Sequence, residues 1–267
     1  LKKSFKILVS FICLFTFYFS VSVFAVTEEK NKSNNNIKEE IKNETEEKLR
    51  DETKNDIKKV VYLTFDDGPR KKICKDILEV LDKYDVKSTF FVVGKEISGR
   101  EDILKRMYDE GHAIGLHTYS HDAKSIYRSN EGFVSEMLKT QEKVRLVTGH
   151  SPNIIRFPWG STNQYRKLNT KMLDLLHENN LKIYDWNSDT KDGMQPDLSP
   201  DRIASNAKKF KKDYPGGIII LMHCNANNEN TLKALPKIIE HYKDLGYDFE
   251  TITDETPEYY HIYKNHN

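Results

Sequence analysis

Val60-Val61-Tyr62-Leu63-Thr64-Phe65-Asp66-Asp67 is a run of β-branched and aromatic residues that stops on two carboxylates. The run predicts a β-strand, and Asp67-Gly68-Pro69 supplies turn chemistry directly after it. A helix is predicted next, from Lys72 to Tyr84, with Ile73, Ile77, Leu78 and Leu81 on one face. Strand, acidic turn and amphipathic helix make up the first unit of an alternation that continues to the end of the chain.

Further strands are predicted at Ser88–Val93, Ala113–Leu116, Asn153–Arg156, Leu181–Trp186, Gly217–Met222 and Tyr247–Ile252. The intervening helices are read at Ile97–Glu110, Glu131–Val147, Thr170–Glu178, from the Ser199-Pro200 start signal to about Lys211, and at Leu232–Tyr242. Seven strands alternating with helices predict an α/β fold, a distorted (β/α)7 barrel of mostly parallel strands. A doubly wound open sheet would produce much the same string, so the pattern leaves closure undecided. Neither a dinucleotide-binding glycine fingerprint nor a phosphate loop is present, which counts against a nucleotide site.

Upstream of this alternation the composition changes twice. Residues 1–25 place Lys2, Lys3 and Lys6 before an apolar run from Ile7 to Phe24, with Val23 and Ala25 where a signal peptidase reads small residues. The expectation is a cleaved signal peptide, with a membrane anchor through residues 7–24 as the runner-up, since 18 residues just suffice to span a bilayer. Residues 26–58 are nearly all Glu, Lys, Asn, Thr and Asp, too polar to offset the entropy of folding, and read as a charged tether. The remaining 59–267 have the size of one domain. An exported protein, secreted, wall-associated or held on the outer face of the membrane, follows from these readings.

The 42 basic and 41 acidic residues leave a net charge of +1, with no basic excess to neutralise phosphates, so a nucleic-acid partner is not expected. Three cysteines are present, and Cys13 falls in the apolar leader. Cys74 and Cys224 could pair or stay free, and the sequence does not decide between the two.

In a parallel α/β fold, catalytic groups gather at the C-terminal ends of the strands. Those positions hold Asp66 and Asp67, His117 with His121 four residues on, Arg156, the stretch from Asp185 to Asp192, and His223. Two imidazoles at His-x-x-x-His spacing, with a carboxylate, form a donor set that holds a divalent metal and leaves positions open for water. Adjacent carboxylates repel unless a positive group stabilises them, so one metal ligand and one general base account for the Asp pair. His223 would act as an acid if a carboxylate, Asp189 or Asp192, kept it protonated.

These residues resemble the polysaccharide deacetylases with a NodB-homology domain, carbohydrate esterase family 4, over about residues 59–255. The resemblance rests on Thr64-Phe65-Asp66-Asp67-Gly68, His117-Thr118-Tyr119-Ser120-His121, Arg156-Phe157-Pro158-Trp159-Gly160, a looser segment with Trp186 and Asp192, and Leu221-Met222-His223. It implies Asp66 as catalytic base, Asp67, His117 and His121 as metal ligands, and Arg156 as the residue orienting the base. It also implies an oxyanion donor at the N–H of Trp159, Trp186 lining the sugar groove, Leu221 lining the acetyl pocket, and His223 as acid oriented by Asp192. Two departures stand out: Gly193 occupies a position where a second tryptophan is common, and Trp159 one where tyrosine is frequent.

Carried to function, the resemblance implies one divalent metal, zinc with cobalt as the alternative, and N-deacetylation of N-acetylglucosamine in cell-wall peptidoglycan, releasing acetate. The same motifs would serve chitin oligomers, a surface polysaccharide, spore-wall muramic acid or acetylated xylan. A catalytically inactive wall-binding protein of this fold, or a secreted metal-binding structural domain, would not need Asp66, Arg156 and His223 together. The oligomeric state is not legible.

Overall fold

The computed structural model describes residues 59–212 and 214–261. The leader and tether read at 1–58 lie outside the described residues. Among the described residues no helix is long and apolar enough to cross a membrane.

The strands are β1 (Val60–Gly68), β2 (Thr89–Val92), β3 (Ala113–Leu116), β4 (Ile154–Ile155), β5 (Lys182–Ile183), β6 (Ser188–Asp189), β7 (Ile218–His223) and β8 (Asp248–Phe249). They pair in parallel in the order β5-β4-β3-β2-β1-β7-β6, and β8 joins the start of β1. Helices α1 (Lys71–Lys83), α2 (Gly94–Ile97), α3 (Glu101–Asp109), α4 (Ala123–Ile126), α5 (Asn130–Thr148), α6 (Thr170–Glu178), α7 (Pro200–Ala207) and α8 (Glu229–Asp244) complete the described part.

The fifth predicted strand, Leu181–Trp186, is cut short to β5, and a separate strand, β6, starts beyond it at Ser188. β5 lies at one end of the strand order and β6 at the other, yet only Tyr184–Asn187 separates them in the chain. Five residue steps span at most about 18 Å, so the sheet must curl until its two edges nearly meet. The sheet is therefore a curled half-barrel of seven parallel strands, with β8 as an addition. The early end of β5 has a physical cause. The carbonyls of Tyr184 and Asp185 accept from the Arg156 guanidinium and so are withdrawn from a strand ladder.

Side-chain alternation along the central strands sorts apolar from chemical groups. On β1, Val61, Leu63 and Phe65 face the helices and join the main core, whereas Val60 and Tyr62 point inside the curl. Period two then puts Thr64 and Asp66 on that same inner face, above the tyrosine. On β7, Ile218, Ile220 and Met222 join the outer core, leaving Ile219, Leu221 and His223 for the inside. The interior is thus apolar at its base and polar at the C-terminal mouth.

Other boundaries differ from expectation for local reasons. The helix read over Ile97–Glu110 is two helices, because Gly99 adopts φ +77° and the chain restarts at Glu101. The helix expected to reach Lys211 stops at Ala207, after which Phe210 bridges to Ser188. Cys74 and Cys224 are both buried free thiols, and the Cys224 thiol donates to the Asp66 carbonyl at 3.2 Å.

Candidate active site

Asp66 and Asp67 are neighbours in sequence but face different tasks. Asp66 follows the inward alternation of β1 and is almost fully buried. Asp67 takes φ 72°, where the pairing of β1 with β2 slips by one residue, and its carboxylate swings toward two histidines. His121 Nε2 lies 3.4 Å from Asp67 Oδ1 and His117 Nε2 lies 3.7 Å from it. One donor atom from each of the three residues falls within 4.8 Å of the others.

The two histidines are not on a helix. His117 follows β3, and the loop to His121 turns through left-handed residues at Thr118 (φ 65°) and His121 (φ 49°). Such conformations cost non-glycine residues roughly 1 kcal/mol each and need support from their surroundings. Glu136 on α5 provides it. Its Oε2 accepts from the Tyr119 N–H (3.0 Å), the Ser120 N–H (2.7 Å) and the Ser120 hydroxyl (2.9 Å). His117 Nδ1 sits 2.9 Å from the Arg156 carbonyl, which fixes the proton on Nδ1 and leaves the Nε2 lone pair facing Asp67.

Arg156 is completely buried and spends its guanidinium on four acceptors. Nε donates to the Tyr184 carbonyl (2.7 Å), Nη2 to the Asp185 carbonyl (3.0 Å), and Nη1 to Thr64 Oγ1 (2.6 Å) and Asp66 Oδ1 (2.9 Å). Beneath it lies the Phe91 ring, 4.1 Å from the guanidinium carbon. Phe91 in turn needs Gly115, where a Cβ would come within 2.4 Å of the ring.

Across the mouth, His223 Nδ1 lies 2.8 Å from Asp192 Oδ1. Asp192 also accepts from the His223 N–H, Thr190 and Thr231, so both its oxygens are occupied. Asp189, the other partner considered for His223, instead pairs with Lys191 at 2.6 Å. Burial works against a charged His223, but the hydrogen bond and charge of Asp192, with Asp66 and Asp67 behind, push its pKa up to about 9. For Asp67, burial opposes ionisation, and the fields of His117, His223 and His121 with the Asn225 amide outweigh it, leaving the pKa below its ordinary value. Burial and the neighbouring His117 bring His121 down to about 4, so it presents a neutral imidazole.

Asp66, Asp67, His117, His121 and His223 share one cavity of about 370 Å³, whose walls include Trp159, Trp186, Gly193, Met194 and Leu221. All ten residues singled out in the sequence thus belong to one constellation, with Arg156 and Asp192 directly behind the cavity wall. Trp159 sits at φ 61° in a tight turn, half exposed, and its N–H has no acceptor among the described residues. Its ring lies 4.8 Å from that of His121 and 5.0 Å from that of Tyr165.

Several supporting contacts escaped the sequence reading, which held Asp185 only as part of a rim segment and Thr64 only within a motif. Besides Glu136 and Thr64, Asp185 is fully buried and accepts from the Ser161 N–H, the Ser161 hydroxyl (2.5 Å) and the His261 N–H (2.9 Å). His261 Nε2 lies 2.9 Å from the Trp186 carbonyl. Together they tie the Trp159 turn, the Trp186 segment and the end of the described chain into one unit. No residue spacing announces such contacts, because their partners are up to 100 positions apart.

Comparison with known proteins agrees with this geometry. A family model described as polysaccharide deacetylase matches residues 53–177, a range that holds Asp66, Asp67, His117, His121 and Arg156. A peptidoglycan-N-acetylglucosamine deacetylase of Bacillus cereus is 33% identical over 207 residues, covering 74% of this chain and 71% of that protein. A crystal structure of a polysaccharide deacetylase from Bacillus cereus superposes with a TM-score of 0.67 at 31% identity, over 78% of this chain and 98% of the other. The catalytic domain of a peptidoglycan N-acetylglucosamine deacetylase from Eubacterium rectale gives 0.69 at 30% identity, over 78% and 94%.

Proposed function

Because the chain belongs to the polysaccharide deacetylase family and is a deacetylase, a hydrolase, we propose that it removes acetyl groups from N-acetylglucosamine residues of cell-wall peptidoglycan in a metal-dependent reaction. The observation that carries the reading is the layout of one cavity. An arginine-held carboxylate (Asp66) and an aspartate-held imidazole (His223) face it together with a three-donor set, Asp67, His117 and His121. The glycan is inferred from what the similar proteins act on.

The donor set suits a divalent cation. One carboxylate held ionised, the neutral imidazole of His121, and His117 with its Nε2 turned to the same side by the Nδ1 contact to the Arg156 carbonyl are what zinc, or cobalt, accepts. When bound, the ion polarises the acetamide carbonyl and lowers the pKa of a water. Asp66, aimed by Arg156, takes the proton of the attacking water. The Trp159 N–H donates to the oxygen that becomes negative as the carbonyl carbon turns tetrahedral. Leu221 lines the pocket for the methyl group, and Trp186 lines the sugar groove beside it. His223, kept protonated by Asp192, then gives its proton to the departing amine, so acetate and a free amino sugar leave without a covalent enzyme intermediate.

Residues 1–25 support an exported enzyme, secreted, wall-associated or retained on the outer face of the membrane, with 26–58 as a tether and 59–267 as the catalytic domain. The test is acetate release from purified peptidoglycan by the zinc-loaded chain. Release by the wild type and none by Asp66→Asn, with zinc still bound, is the expected result. Equal release by the two would remove Asp66 as base, and none by the wild type would move the substrate to another acetylated glycan.

A further inference from the structure

A second cavity, of about 340 Å³, adjoins the first at Asp67 and His121. Its other walls come from three segments at the mouth: Arg70 after β1, Lys95 and Glu96 in the short helix α2 that follows β2, and Asn225 and Asn227 after β7. Three cations stand against two carboxylates, Glu96 and Asp67, and Asp67 belongs to the three-donor set. Glu96 Oε2 is shared between Arg70 Nη1 at 2.8 Å and Arg100 Nη1 at 3.1 Å, and Lys95 adds a third positive charge. The Arg70 Nε–H is buried and has no acceptor. A buried donor on a permanent cation is the kind of group that a ligand oxygen completes. Asn225 ties this cavity to the three-donor set, donating to Asp67 Oδ2 at 3.4 Å while its own carbonyl accepts from the Asn227 N–H.

We propose that this cavity is an anion subsite, in which Arg70 and Lys95 hold a carboxylate carried by the glycan beside the acetylated sugar being hydrolysed. The inference rests on the peptidoglycan reading and deepens it. Chitin oligomers and a xylan backbone of neutral sugars carry no carboxylate. Peptidoglycan carries them next to every N-acetylglucosamine, on the lactyl ether of the neighbouring sugar or in the peptide attached to it. Because the two cavities share a wall, an acetamide can occupy one while the neighbouring residue's carboxylate occupies the other. Charge-assisted hydrogen bonds to a guanidinium would then select wall glycan over neutral glycan through KM.

The experiment compares kcat/KM of the zinc-loaded full chain on three substrates of similar length. These are a neutral N-acetylglucosamine oligomer, peptide-free wall strands with a bare lactyl carboxylate, and peptide-bearing wall fragments. In Arg70→Gln/Lys95→Gln the preference for wall substrate over oligomer should fall on the order of tenfold, through KM, and the wild-type preference should shrink with added salt. The wall substrate that loses more identifies the carboxylate, lactyl or peptide. Lys95→Gln alone, at an exposed position, keeps the test readable should the double variant fold poorly, with a smaller loss in the same direction. A preference ratio unchanged in the variants overturns the subsite. A wild type that deacetylates only the neutral oligomer overturns the peptidoglycan reading itself, a different result.

Discussion

Arg156 Nη1 lies 2.9 Å from Asp66 Oδ1 inside the curled sheet, and both side chains are buried. The same guanidinium holds the carbonyls of Tyr184 and Asp185, the segment joining the two sheet edges. One residue therefore aims the proposed base and closes the half-barrel, so a fault in either function disturbs both. Arg156→Lys keeps the charge but cannot reach four acceptors arranged around a planar fork. Breaking a buried, fully bonded ion pair costs about 3 kcal/mol or more, and Tm should drop by about 10 °C. Deacetylation should fall at least a hundredfold. Calorimetry and acetate release check the two effects separately, and a variant with wild-type Tm would contradict the closing role.

The loop carrying His117 and His121 depends on Glu136, which accepts three hydrogen bonds from Tyr119 and Ser120. Glu136→Gln removes the charge and one acceptor lone-pair face while keeping the shape. Outer partners of this kind typically contribute 10- to 100-fold to metal affinity. We expect zinc affinity, measured by chelator competition, to weaken by about tenfold with little change in Tm. Affinity equal to wild type would mean that the loop holds its left-handed turns unaided.

How much of this could be read from the sequence depends on the range of the interaction. Asp66, Asp67, His117, Arg156 and His223 lie at or just after the ends of strands, with His121 four residues beyond His117, and in a parallel α/β fold those strand ends share one rim. The separate directions of Asp66 and Asp67 arise from a slip in β1 pairing and a positive φ, which composition does not encode. Glu136 and His261 look like ordinary helix and tail residues until the fold brings their partners to them. Leu181–Trp186 reads as one strand because its residue types are right. Its early end after Ile183 comes from Arg156 competing for the carbonyls of Tyr184 and Asp185, a tertiary effect that overrides local propensity.

Gly193 stands where the family commonly has tryptophan, and in this chain the His223 imidazole packs directly on its backbone. A Cβ at Gly193 would lie 2.3–2.8 Å from three atoms of that ring. Gly193→Ala must push the imidazole away, against the pull of Asp192. The expected outcome is a fall in kcat of tenfold or more with zinc affinity unchanged, since the three donors are untouched. Wild-type kcat in this variant would show that the ring has room to move without cost to the reaction.

His112 ties stability to acid conditions independently of catalysis. Its buried Nδ1 accepts from the Ser88 N–H at 3.1 Å, and burial, with the nearby Lys87 and Arg106, brings its pKa to about 4. A depressed histidine pKa means that the unfolded chain binds the proton first as pH falls below about 6.5. Stability is thus lost between about pH 6.5 and 4, by up to about 3 kcal/mol from this group. In His112→Gln, which cannot titrate, the fall in unfolding free energy across that window should be smaller by a similar amount. Parallel pH curves for the two proteins would rule the assignment out.

His223 governs the alkaline side. Asp192 holds it protonated up to about pH 9, so the acid that serves the leaving amine is present through neutrality and is lost above that value. kcat should therefore decline through about pH 9. Stability has the same sign: a histidine pKa raised on folding contributes fully below about 6.5, and that contribution disappears as pH rises through about 9. Asp192→Asn removes the carboxylate but keeps a carbonyl near Nδ1. Burial of His223 then acts with less opposition, and the alkaline limb should move to lower pH by at least one unit while kcat at neutral pH falls. A stopped-flow or coupled acetate assay from pH 6 to 10 on both proteins gives the two limbs. If the limb stays near 9 in the variant, the proton comes from a group other than the His223–Asp192 pair.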